Sequence, residues 1–179
     1  MHPYELALQL IRHFGKTLGL EDLTLKAGTQ GCALEFDSDI VVTFEFHEAS
    51  ERIVLTSLVA VMPQVNAEPI LRALATANFA SYLDGAITLG LEPQSQQIAL
   101  MQSRSLSELD NATFETLVER FVNRAETWKR DLEQLVGEGA AAGVHSGAMS
   151  DSGALHVTMD DEAQTSLPTP PDGAHRIYG

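Results

Sequence analysis

The side chains best suited to chemistry near neutral pH are six histidines and a single cysteine, Cys32. A histidine can move protons or bind metal, and a thiolate can attack electrophiles, but each use needs partners at defined spacing. His145, His156 and His175 fall in a stretch without periodicity, where nothing fixes their geometry. His2, His13 and His47 remain, and none has a second His or Cys at metal-ligand spacing. Cys32 lies on an alternating apolar face, the setting of a buried structural thiol. Asp37 and Asp39 form an Asp-x-Asp, which can bind metal, but between two strand-like segments it reads as turn chemistry. Asn111-Ala112-Thr113 matches a glycosylation acceptor, which is idle without secretion. There is no G-x-S-x-G elbow, no P-loop and no G-x-G-x-x-G after a strand. We therefore expect no catalytic residue, no metal site and no cofactor.

The elements that would position these residues belong to a chain of 179 residues, 44% apolar, which suits one domain and an appendage. The net charge is -14. Residues 1–136 hold ten basic and nineteen acidic side chains, and residues 137–179 hold one and six, so both parts are acidic. Phosphate binding needs clustered Lys and Arg, which argues against a nucleic-acid partner and against an anionic membrane. The first residues, MHPYELALQLIRHFGK, lack the pattern of a signal peptide, and no apolar run approaches membrane-spanning length. One cysteine precludes an internal disulfide. A cytoplasmic location is expected.

Residues 3–19 read as a helix, with Pro3 at its start, Gly19 as its stop, and Tyr4, Ala7, Leu8, Ile11, Phe14 and Leu18 at helical spacing. Leu6 and Leu10 lie off that stripe and widen the apolar face. Leu23–Lys26 suggests a short strand. After a turn over 27–31, Cys32, Leu34 and Phe36 share a strand face, then Val42, Phe44 and Phe46 share another, in an antiparallel meander. The third long strand, 52–61, is apolar on both faces: Ile53, Leu55, Val59 and Val61 on one, Val54, Leu58 and Ala60 on the other. Such a strand is covered on both sides, by its own chain or by a partner.

Pro63 ends that strand, and Asn66 is the expected N-cap of a helix reaching Tyr82, with Pro69 in its first turn. Its small residues Ala73, Ala77 and Ala80 suit close helix packing or a dimer contact. Asp84-Gly85 turns into a strand over 86–92, and Pro93–Gln96 returns it as a hairpin. Asp110 or Asn111 caps a last helix striped by Phe114, Leu117, Val118, Phe121, Ala125, Trp128, Leu132 and Leu135, ending at Gly137. Residues 137–179 are rich in small residues and proline and read as a disordered tail. Arg176-Ile177-Tyr178 is its one candidate binding motif.

The fold class is thus α+β, in the order helix, three strands, helix, two strands, helix. That order resembles the class I chaperones of type III secretion, the Tir chaperone family. The resemblance is sharpest over 70–132. There a helix carries Leu71, Leu74, Ala77 and Asn78, Gly85 precedes an alternating strand with Leu89 and Leu91, and Leu109-Asp110 enters a helix with a late aromatic, Trp128. It covers residues 4–135 and leaves the tail aside.

The resemblance implies a twisted antiparallel sheet packed with helices and a homodimer built on the second helix and the hairpin. It also implies binding of the N-terminal, non-globular segment of a secreted effector. The segment would be kept soluble, with strand addition at a sheet edge as part of the contact, and delivered to the secretion ATPase without ATP hydrolysis by the chaperone. From the stripes and faces, the expected effector-binding residues are Leu6, Leu10, Phe14, Val41, Val54 and Leu58. The expected dimer residues are Ile70, Ala73, Leu74, Ala77, Ile87 and Leu89. Two other functions stay open on the same scaffold, a regulatory adaptor with a flat interface and a small-ligand-binding domain with a closed pocket.

Overall fold

Among the described residues, alternation and helical spacing resolve into five strands and three α-helices. The computed structural model describes residues 2–26, 28, 30–36, 39–84 and 87–146. The elements are α1 (Pro3–Thr17), β1 (Gly31–Phe36), β2 (Ile40–His47), β3 (Arg52–Val61), α2 (Glu68–Asp84), β4 (Thr88–Glu92), β5 (Gln97–Ser105) and α3 (Asn111–Ser146). Short 3-10 helices occupy Glu48–Ser50 and Leu106–Glu108. The sheet order is β1-β2-β3-β5-β4, antiparallel throughout. The chain leaves the meander at β3, passes through α2 to the far edge, and returns as β5 to pair with β3.

One face of the sheet packs against α1 and α3. Val42, Phe44 and Phe46 from β2, Ile53, Leu55 and Val59 from β3, and Ile98 and Leu100 from β5 are buried there. Phe14, Phe44 and Phe114 meet with ring centroids 5.7 to 6.3 Å apart, tying α1, β2 and α3 together. Gly15 permits the chain after α1 to fold back, since a Cβ there would lie 2.6 Å from Leu23 Cβ. That fold-back explains why Leu23–Lys26 is not the expected strand: only Lys26 bridges, to Gly31.

Other expectations shift at element ends. Asn66 does not cap α2. Its φ of 57° is left-handed, whereas an N-cap is extended, and the first α2 bond runs from Leu71 N–H to Ala67 O. Asp110 does cap α3: its Oδ1 accepts from the Thr113 N–H at 2.8 Å, and its own N–H donates to Thr113 Oγ1 at 2.8 Å. Gly137 does not stop α3, which runs on to Ser146. The expected turns at 27–31, 37–39 and 84–85 each include residues outside those described, as does Asp37 of the Asp-x-Asp. The disordered reading of the tail falls, beyond Ser146, on undescribed residues.

β3 departs from strict alternation. Its register against β5 pairs Leu58 with Ala99 and Ala60 with Ile98, leaving Val59 as an extra residue in a β-bulge. Past the bulge the faces exchange. Ala60 packs on the core, and Val61, expected to share a face with Ile53, is exposed on the same side as Leu58.

Candidate functional site

The face of the sheet away from α1 and α3 is the first candidate. Because residues two apart share a face, the register sets Thr43, Thr56, Met101 and Thr88 in one row across four strands. In the next row Leu58 lies beside Ala99 and Gly90, with Val41 on the β2 side. Leu58 is 51% exposed and Val61 62%, and Val41 is exposed beside them. Gly90 and Ala99 carry little side chain, so Leu58 stands above its neighbours on β5 and β4, while Val61 lies beside Gln97. No described element covers this apolar strip, so of the two covers expected for β3, its own chain or a partner, the described residues do not supply the first.

The two edges of the sheet differ. At β4, Asn78 of α2 donates from Nδ2 to Leu89 O at 2.8 Å and accepts at Oδ1 from the Leu89 N–H at 2.8 Å. A side-chain amide here takes the place of a neighbouring strand. At the opposite edge β1 pairs only with β2; the Gly31 carbonyl accepts from the Lys26 N–H at 3.0 Å, and beyond Gly31 no strand among the described residues lies along that edge.

α2 supplies a second candidate surface. Ile70 and Leu74 turn into the core, while Leu71, Phe79 and Tyr82 form an outward stripe. Phe79 is 77% exposed and Tyr82 83%. Beside them, Pro69, Ala73, Thr76, Ala77 and Ala80 make a shallow trough closed at one end by Trp128 of α3.

Against the expected residues the structure divides cleanly. Leu10, Phe14, Ile70, Leu74 and Leu89 are at most 6% exposed, held by the chain's own core, and have almost no surface to offer a partner. Leu6, Val54, Ala73, Ala77 and Ile87 are partly buried, and Val41 and Leu58 are exposed. Val61, Leu71, Phe79 and Tyr82 are exposed on these two surfaces and were not among the expected residues. The bulge hid the first, while the α2 residues carried a signal, an apolar row opposite the inward stripe.

Burial pushes the Cys32 thiol up to about 11, against a smaller opposing pull from Lys26. Among the described residues, no three His, Cys, Asp or Glu gather as a metal would need, and no helix is long and apolar enough to cross a membrane.

The Tir chaperone protein (CesT) family model matches residues 9–129. A chain in the crystal structure of the ExsC-ExsE complex is similar at 25% identity, over 73% of this chain and 96% of that one, with a TM-score of 0.65. A chain of the HopA1-SchA chaperone-effector complex is 18% identical, over 71% and 95%, with a TM-score of 0.62. A chain in the structure of the Yersinia pestis type III secretion chaperone SycH with a stable fragment of YscM2 is also 18% identical, over 68% and 98%, with a TM-score of 0.53. The last two likenesses concern the fold. No curated protein matches the chain.

Proposed function

The chain belongs to the Tir chaperone protein (CesT) family, and we propose that it is a cytoplasmic type III secretion chaperone. It binds the N-terminal, non-globular segment of a secreted effector and keeps it secretion-competent, without catalysis. The observation that carries this reading is the uncovered apolar strip of Val41 on β2 and Leu58 and Val61 on β3, one and two strands in from the β1 edge.

The two features complement each other energetically. Ordering an extended client costs about 1–2 kcal/mol per residue in backbone entropy. Each hydrogen bond gained by adding a strand to β1 returns only about 0.5–1.5 kcal/mol net. Strand addition alone therefore falls short, and apolar side chains of the client must be buried as well, at roughly 25 cal/mol per Å². Val41, Leu58 and Val61 supply the surface for that burial, and Val54 lies on the same face as a partly buried residue, whereas Leu6, on α1, packs on the opposite face.

The α2 surface serves self-association. Leu71, Phe79 and Tyr82, with Ala73, Ala77 and Ile87 beside them, are the proposed dimer contact. Ile70, Leu74 and Leu89 support it from the core. Sedimentation is expected to show a dimer for the native chain and a monomer for Phe79→Asp; a dimeric variant would remove this helix from the interface. In delivery the complex would meet the secretion ATPase.

The deciding experiment isolates the tagged chain from secretion-competent cells of its host, followed by limited proteolysis and mass spectrometry. A protected peptide from near the N-terminus of a secreted protein is expected. A folded partner, or no protected peptide, would replace this reading with an adaptor.

A further inference from the structure

A cleft of about 700 Å³ lies between the end of β5, the 3-10 turn at Leu106–Glu108 and the first half of α3. It is separate from the apolar strip. Arg104, Arg120 and Arg124 line it, with Gln102 and Thr116 between them and Glu108 the one carboxylate. Three of the chain's eleven lysines and arginines thus converge on one concavity of a chain whose net charge is -14. Arg120 and Arg124 are exposed one helical turn apart, and no ion pair among the described residues includes either. Guanidinium groups so arranged favour carboxylates, which they bind through paired hydrogen bonds.

We propose that this cleft seats the acidic segment Asp160-Asp161-Glu162 of the same chain. The adjacent carboxylates complement Arg120 and Arg124, with Arg104, which also donates to Ser103 O at 3.4 Å, on the cleft wall. The segment lies past residue 129, where the family match ends, so the contact is an addition to the shared fold. Its reach is sufficient. At about 1.5 Å per residue, Ser146 at the end of α3 is roughly 33 Å from Arg124. The fourteen residues from Ser146 to Asp160 extend to as much as about 46–50 Å.

The test uses the full chain with Thr158→Cys carrying a dansyl group. Cys32, buried and with its thiol held protonated, stays unlabelled at neutral pH. Trp128, the only tryptophan, is one turn beyond Arg124 and acts as energy donor. At low salt, energy transfer is expected. It should be lost in 1 M NaCl, where charges are screened within about 3 Å. It should also be lost in Asp160→Asn/Asp161→Asn/Glu162→Gln, which leaves the described fold untouched, and in Arg120→Ala/Arg124→Ala. Transfer that is absent at low salt, or that survives these changes, overturns the proposal. Transfer that grows with protein concentration also overturns it, by placing the segment in the cleft of a second copy.

Discussion

Along β3, neighbouring side chains meet opposite surroundings. Ile53, Leu55 and Val59 are buried beneath α1 and α3, while Leu58 and Val61 stand exposed on the other side. Each face also holds a residue suited to the other. Ser57 is buried on the packed face, where its hydroxyl has no hydrogen-bond partner. Leu58 and Val61 are large apolar groups facing water. The two departures differ in number and arrangement. Ser57 is a solitary misfit, whereas Val41, Leu58 and Val61 form a contiguous set. An isolated misfit weakens a fold, but a contiguous one makes a surface another chain can cover.

Substitution can test how sharply the faces divide. Phe114→Ala, which removes the ring packed on Phe14 and Phe44, is expected to cost about 3–5 kcal/mol in denaturant unfolding. Leu58→Ala should change stability by no more than about 0.5 kcal/mol. Similar losses for both would erase the distinction. Leu58→Asp with Val61→Asp should weaken effector-segment binding at least about tenfold by calorimetry, about 1.4 kcal/mol, with the unfolding midpoint held. Undiminished affinity would remove the strip from the client site.

Smaller effects sharpen the contrast. Ser57→Ala deletes a buried, unpartnered hydroxyl and should raise stability by roughly 1 kcal/mol; a loss would mean that the hydroxyl is satisfied in solution. The smallest effect is expected at the α3 cap. Hydrogen bonds from the Thr113 side chain and backbone hold the Asp110 carboxyl below its ordinary range. Its contribution is therefore complete above the unfolded value, near about pH 4, and is lost as pH falls through the lower folded value. Asp110→Asn keeps a capping group that does not titrate, so its acid unfolding followed by circular dichroism should be less steep below that pH.

Element order was legible because periodicity reports it directly: α1, the meander, the hairpin and the α3 stripe all appear in the alternation of apolar residues. The sites were less legible. A stripe shows that Leu10, Phe14, Ile70, Leu74 and Leu89 share faces with other apolar residues, but not whether the chain itself covers those faces. Val61 needed the bulge, which depends on how β3 registers against β5 some forty residues on. Asn78, read in the sequence only as one residue of the second helix, bonds a strand, because local sequence does not reveal which backbone lies opposite.

The Asn78–Leu89 contact has a consequence best put in the language of polymer chemistry. A monomer with two reactive ends grows into a chain, while a monomer with one stops after its first coupling. An open sheet has two such ends, and here the amide of Asn78 occupies the backbone groups of Leu89 at one of them. The strand addition proposed at β1 would therefore have no counterpart at Leu89, whose backbone groups are already taken.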